Sequence, residues 1–292
     1  MKDIQAIPFL EVSVLKEEYV AIIKNRVQEI LAELEYHDIV IRDDIFKLLR
    51  KKSKVIFYPL DEEMDLDGFH VAKYMKDELT AFVYINSAKN FEKCIFCAAH
   101  ELGHIYELEK DIEKEFPNVQ FSTKEIDDIM NRFAAEMLMP QEVFHDKFRE
   151  LWRLNTVGIV ELKNGHLLKT IVALMDYFYV PYKSVVRRLW EIEFLTDMGR
   201  EKFEKVEEQE PESVDLYIYE GKYTRLRHPS RHKSFEELPE YLTRAQDIHI
   251  ISRRKSNTIR DEFEIDVTLL EDKVVKTAED ILLDTDIMKG NL

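Results

Sequence analysis

With only 7 Gly and 8 Pro among 292 residues, the chain has few places to break a helix, so long helices should dominate its first two thirds. Residues 15–35 carry Val20, Ile23, Val27, Ile30, Leu31 and Leu34 at helical spacing, which predicts a charged amphipathic helix. A short helix is expected at 43–51. A strand should follow at Val55-Ile56-Phe57-Tyr58, ended by Pro59, with a turn at 65–68. Ala81-Phe82-Val83-Tyr84-Ile85-Asn86 is rich in β-branched and aromatic residues and reads as another strand. Helices are then expected at 91–108, 123–138, 141–153, 166–178 and 182–195, the second capped by Ser122 or Thr123 and stopped by Pro140. Residues 200–210 are almost all charged and precede Pro211, which suggests a boundary. Beyond it, 214–219, 247–253 and 262–270 alternate like strands. No internal repeat is visible.

Bulk properties exclude several classes. Hydrophobic residues make up 45% and charged residues 34%, an ordinary balance for a folded protein and not a disordered one. The net charge of -16 argues against a chain-wide grip on nucleic acid or on an anionic membrane. Two cysteines, Cys94 and Cys97, are too few for a disulfide framework. No apolar run approaches the ~18 residues needed to span a bilayer. The N-terminus lacks a secretory pattern, so the cytosol is the expected compartment.

The chemistry is concentrated in His100-Glu101-Leu102-Gly103-His104, which satisfies H-E-x-x-H. Positions i and i+4 project from one helix face, so both imidazoles can reach one ion at ~2.0–2.1 Å. Glu101 lies beside them, suited to take a proton from water activated by a zinc ion. Roughly one chain in a hundred of this length would show the pattern by accident, as two surface histidines on a helix. Its context argues otherwise. Cys94-Ile95-Phe96-Cys97-Ala98-Ala99 is apolar and helical, which buries the helix presenting the motif. Gly103 costs about 1 kcal/mol in a helix interior relative to Ala, which is easier to understand if something approaches closely there.

A catalytic zinc commonly has three protein ligands and an open position. Glu107 lies one turn beyond His104, but three ligands from one straight helix would enclose an ion poorly. Glu125, Asp127 and Asp128 lie near the start of the 123–138 helix, where acidic residues are also common simply because they complement the helix dipole. The small apolar middle of that helix (Phe133, Ala134, Met137, Leu138) suits tight packing against the motif helix.

Two segments taken together resemble the ImmA/IrrE family of metallopeptidases. They are Phe96-Cys97-Ala98-Ala99-His100-Glu101-Leu102-Gly103-His104 and Asn131-Arg132-Phe133-Ala134-Ala135-Glu136-Met137-Leu138-Met139-Pro140. Tyr84-Ile85-Asn86 before the motif helix and 173–189 after it also resemble the family, so the likeness covers roughly 35–195. It implies a third ligand four residues before Asn131, where this chain has Asp127 in place of the family's usual Glu. The carboxylate is kept on a shorter arm. Met130 replaces the usual Ala. The resemblance further implies limited cleavage of a regulatory protein, often a helix-turn-helix repressor.

Other features have plainer readings. Ala81–Asn86 is a candidate edge strand bordering the cleft, with Tyr84 and Asn86 as candidate substrate-binding residues, or else an ordinary sheet strand. Cys94 and Cys97 form a C-x-x-C better read as buried core thiols than as ligands. Tyr106 could donate to an oxyanion, although packing explains it better. Residues 171–195 could form a helix-turn-helix-like pair, but Arg187 and Arg188 are too little for DNA contact. Basic residues between Lys222 and Arg260, with Tyr223 and Phe235 among them, suit a solvated face better than a nucleic-acid surface.

The expectation is therefore an α+β protein. A helical extension (1–34) precedes a mostly helical zincin-like metallopeptidase domain with a small sheet (35–199), and a C-terminal α+β module follows (211–292). His100, His104 and Asp127 would hold Zn2+, and Glu101 would act as the base. The alternatives are a binding module that sequesters a repressor without cutting it, and a DNA-associated regulator acting through the C-terminal module.

Overall fold

Helix α1 (Glu17–Glu33) buries Tyr19, Ile23, Val27 and Ile30 along one stripe, the face its periodicity predicts. In this computed structural model, which describes residues 15–60, 65–75, 78–157 and 164–265, that stripe packs on the helices that follow. Tyr19 meets Phe116 and Phe121 edge to face, with ring centroids 5.2 and 5.8 Å apart. The segment expected to be an N-terminal extension is thus part of the core.

A 3-10 turn (Arg42–Asp44) leads into α2 (Ile45–Arg50) and then β1 (Ser53–Tyr58). Strands β2 (Gly68–Met75) and β3 (Glu78–Asn86) follow. β3 is central: it pairs in parallel with β1, Val55 opposite Val83, and antiparallel with β2, His70 opposite Val83. This corrects two expectations. The 81–86 strand is not an edge, and the turn expected at 65–68 runs directly into a strand. β2, the outer strand, presses close to its neighbours. A β-carbon at Gly68 would lie 2.5 Å from both Cys97 Sγ and the Tyr84 carbonyl oxygen.

Helix α3 (Phe91–Ile105) stops earlier than expected, because Glu107 adopts a left-handed φ of 51°. A separate short helix, α4 (Leu108–Glu115), then begins. Helix α5 (Thr123–Leu138) starts at a reciprocal cap. Ser122 Oγ accepts from the Glu125 backbone N–H, and the Glu125 carboxylate accepts from the Ser122 N–H at 2.8 Å, which satisfies two otherwise orphaned donors. α3 and α5 pack against each other, and Ala98, Ala99 and Leu102 of α3 and Met130, Phe133, Ala134 and Met137 of α5 are all buried. Gly103 belongs to that contact. A β-carbon there would come within 2.8 Å of Met130 Sδ and 2.9 Å of a Phe133 ring carbon, so the close approach that its sequence position suggested is made by α5.

Helices α6 (Gln141–Thr156), α7 (Asn164–Phe178) and α8 (Tyr182–Glu191) complete the core. Residues 171–195 are structural. Ile171, Val172, Leu174, Phe178, Val185, Val186 and Leu189 are buried. Arg188 is 0% exposed and Arg187 pairs with Glu204 at 3.4 Å.

The boundary expected at 200–210 is instead a helix, α9 (Asp197–Gln209). Its charged surface hides an apolar pair, Phe203 and Val206, against the core. Pro211 opens α10 (Pro211–Gly221) at the first helical turn, where a missing N–H is harmless. The strand expected at 214–219 therefore lies inside a helix that packs against α7 and α9. The chain divides into compact units at Met1–His232 and Lys233–Leu292. In the second unit a two-residue strand, β4 (Ser234–Phe235), precedes α11 (Leu238–Asp247) and α12 (Arg253–Glu262). The strand expected at 247–253 is the turn between those helices. The one expected at 262–270 begins in the last turn of α12, and its remainder from 266 lies outside the described residues. Among the described residues no helix is long and apolar enough to cross a membrane.

Candidate metal centre

The helical i, i+4 relation brings His100 and His104 to one point, with their Nε2 atoms 3.2 Å apart. Nδ1 of His100 faces Asn131 Oδ1 at 3.0 Å. An amide oxygen only accepts, so this contact places the proton on Nδ1 and leaves Nε2 as a lone pair. Asp127, one turn before Asn131 on α5, brings Oδ1 to 3.9 Å from His104 Nε2. The donor atoms of His100, His104 and Asp127 all lie within 4.8 Å of one another.

These residues fit a metal. Two ligands of a tetrahedral ion at ~2.0–2.1 Å should be separated by roughly 3.3 Å, close to the 3.2 Å observed between the imidazoles. Burial pushes His104 down to about 3, with the neighbouring His100 adding to the effect, so at neutral pH it is an uncharged imidazole able to coordinate. Burial raises the Asp127 carboxyl; His100 opposes that rise, and Asp128 and Glu101 add to it. A cation among these groups would relieve that cost.

Glu101 is 2% exposed. Burial pushes its carboxyl up, but the hydrogen bond from His70 and the nearby His100 and His104 outweigh burial and leave it below the ordinary range. His70, on β2, had not been singled out in the sequence. Its Nδ1 lies 2.8 Å from Glu101 Oε2, and its ring stacks on His104 with centroids 4.8 Å apart. The signal for it was the strand-like Phe69-His70-Val71 run next to Gly68. Asn131 stands in the second of the two motif segments, but its contact with His100 depends on how α3 and α5 pack.

The remaining candidates fall away from this point. Glu125 is committed to the α5 cap. Asp128 lines a cleft bordered by α1 and α8, and Glu107 pairs with Lys110 beyond the end of α3. Tyr84 and Asn86 do not face the site. Tyr84 donates its hydroxyl to the Tyr58 carbonyl at 2.8 Å. Asn86 is fully buried, accepting from the Leu60 and Ala88 N–H groups and donating to the Leu66 carbonyl. Asn86 pins loops to the central strand and Tyr84 ties that strand to the end of β1, so both have structural roles in place of the substrate contacts expected of them. The Tyr106 ring lies against Arg26 and Lys52. Burial drives the Cys97 thiol well above its ordinary range and raises Cys94 to about 12, as expected of core thiols. Arg225 pairs with Asp176, and Arg227 pairs with Glu207 and Asp215. These two members of the basic cluster are engaged within the first unit.

Comparison with known proteins adds an independent line. Residues 50–190 match the family model of the IrrE N-terminal-like domain (Peptidase_M78), a span that contains every residue of the site. Among solved structures, a Mycobacterium tuberculosis transcriptional regulator aligns over 59% of this chain and 50% of its own at 16% identity, with a TM-score of 0.38. The chain thus spans half the length of that regulator, a likeness too distant to carry any argument about function. No curated protein matches the chain. With the H-E-x-x-H helix and its partner α5 inside the matched span, residues 50–190 are an IrrE N-terminal-like peptidase domain of the ImmA/IrrE family.

Proposed function

We propose that the protein is a zinc-dependent metallo-endopeptidase that makes limited cuts in a regulatory protein. The observation that carries this reading is the 3.2 Å approach of the His100 and His104 Nε2 atoms beside Asp127, with the Glu101 carboxylate next to them. Two imidazoles and one carboxylate form a donor set that suits zinc and leaves a coordination position for substrate. A zinc ion held there would supply Lewis acidity, making water acidic enough to attack a peptide carbonyl at neutral pH.

The chain's own residues divide the remaining work. Asn131 fixes the tautomer of His100. Glu101 accepts the proton from the attacking water and is placed to return it to the departing amine. The buried packing of α3 on α5 holds these groups in place before substrate arrives. An extended substrate would add along β2, the outer strand, whose His70 already reaches Glu101. The family resemblance supports a repressor-type regulatory protein as substrate.

The test compares zinc-loaded wild type with Glu101→Gln on a proteome-derived peptide library, reading new termini by mass spectrometry. Cleavages made by the wild type should fall by about 10²–10⁴-fold in the variant, with zinc content unchanged. Equal cleavage by both proteins would refute the assignment of Glu101. Intact peptides with both would favour the reading as a repressor-sequestering module.

A further inference from the structure

We propose that His70 is a positioning residue for the reaction: from strand β2 it grips one oxygen of Glu101 and leaves the other to receive the proton. The inference rests on the peptidase reading above and adds a residue from outside the two motif helices. A carboxylate on a helix can rotate about its side-chain torsions, and a general base works only within hydrogen-bond reach of the proton it takes. Here Nδ1 of His70 lies 2.8 Å from Oε2 of Glu101. An ionised carboxylate only accepts, so the ring carries its proton on Nδ1. Oε1 is left for the water.

The fold commits several features to that contact. Gly68 lets the start of β2 lie against Cys97 and the Tyr84 carbonyl, where any side chain would collide. Two residues on, alternation along the strand returns the side chain to the same face, and His70 meets α3. Register with β3 fixes its height, since His70 stands opposite Val83. Stacking on His104, with centroids 4.8 Å apart and planes inclined by 29°, keeps the ring from swinging out. His70 keeps about a third of its side chain exposed.

The donor atoms of His70, Glu101 and His104 also lie within 4.8 Å of one another, so a direct ligand role for His70 is the rival explanation. The experiment separates the two. His70→Phe keeps a stacking ring and removes the donor, whereas His70→Gln restores an N–H donor. On the peptide that the wild type cuts best, His70→Phe should lower kcat by about 10–100-fold, the usual cost of losing an outer-shell partner. KM and a full equivalent of zinc should be kept, and His70→Gln should recover part of the loss. In a Glu101→Gln background, His70→Phe should cost nothing further, because the two act as one unit.

Long-range proton–nitrogen NMR of the imidazoles provides a readout independent of turnover. It should place the His70 proton on Nδ1 and show that resonance shifting in Glu101→Ala. Zinc lost from His70→Phe, an unchanged kcat, or a proton on Nε2 would each overturn the assignment. An inert wild type would instead refute the peptidase reading, and the NMR measurement would still decide whether His70 holds Glu101.

Discussion

Helix α5 carries a polar cluster toward each end, buried at the C-terminal end and half-buried at the other, and the two are built on opposite plans. At its C-terminal end every charge has a partner. Arg188, fully buried, donates to both oxygens of Glu136 at 3.0 and 2.7 Å. It also donates to the Met139 carbonyl and to Glu191 at 2.7 Å, while Arg132 reaches Glu136 at 2.6 Å. Toward the N-terminal end, groups of the same kind face one another. Two imidazole nitrogens meet at 3.2 Å and a carboxylate raised by burial stands 3.9 Å away. The first cluster is complete within the protein and fastens α5 to α8. The second would be completed by a bound cation under the function proposed above, which is how a binding centre differs from a structural ion pair.

That contrast can be broken most severely at the completed end. Arg188→Met leaves Glu136 buried without its main counter-ion and should cost about 3–5 kcal/mol in urea unfolding. Adding Glu136→Leu should recover much of that loss, because the pair is then replaced by apolar packing. If the single variant unfolds like the wild type, the cluster does not fasten the helices.

The N-terminal cluster should respond to zinc instead. Free zinc at a hundredfold above its dissociation constant should stabilise the wild type by about 2.7 kcal/mol, read as a rise in Tm. His100→Ala should show no such rise. Asn131→Ala should weaken zinc binding by about 10–100-fold, measured with a competing chelator, while changing metal-free Tm little. A large loss of metal-free stability would mean that Asn131 serves packing rather than the ligand beside it.

Gly103→Ala sets two small effects against each other. Alanine gains about 1 kcal/mol of helix propensity, but its methyl group would press on Met130 and Phe133, and overpacking typically costs about 1–3 kcal/mol. A net loss of about 1 kcal/mol in thermal or urea unfolding is expected, and an unchanged Tm would show that Met130 gives way freely.

Acid should loosen the completed cluster in a defined direction. Burial pushes Glu136 up, but Arg188 and Arg132 outweigh it and hold the carboxyl below its ordinary range. Its contribution to stability is therefore full above about pH 4.3, the ordinary glutamate value. It is lost as pH falls through the lower value of the folded state. Glu136→Gln should flatten that part of the stability–pH curve, and an unchanged slope would show that the pair does not titrate as described.

The parts of this site that could be read in the sequence are local ones. His100, Glu101 and His104 are fixed relative to one another by helix geometry alone, and a cap at Ser122 or Thr123 marked the start of α5, although the part Glu125 plays in that cap was seen only in the structure. Asp127 could be chosen over its neighbours only through the family resemblance. Its local competitor, Glu125, was eliminated by the cap it closes. His70 was hidden because its place depends on the register of β2 on β3, a non-local pairing that spacing does not encode. The same limit misplaced Tyr84 and Asn86: β-branched and aromatic residues mark 81–86 as a strand but cannot tell a central strand from an edge. In 214–219, alternation favoured a strand, yet Pro211 at the helix start and the burial of Val214 make a helix. Tertiary packing overrode local preference there.

The central claim is that two imidazoles of α3 and a carboxylate of α5 share one zinc ion. Elemental analysis of purified wild type beside His104→Ala, each confirmed folded by circular dichroism, tests it directly. The account predicts about one equivalent of zinc in the wild type and little in the variant, consistent with one lost ligand of three. A full equivalent retained in His104→Ala, or none taken up by the wild type from excess zinc, would contradict it.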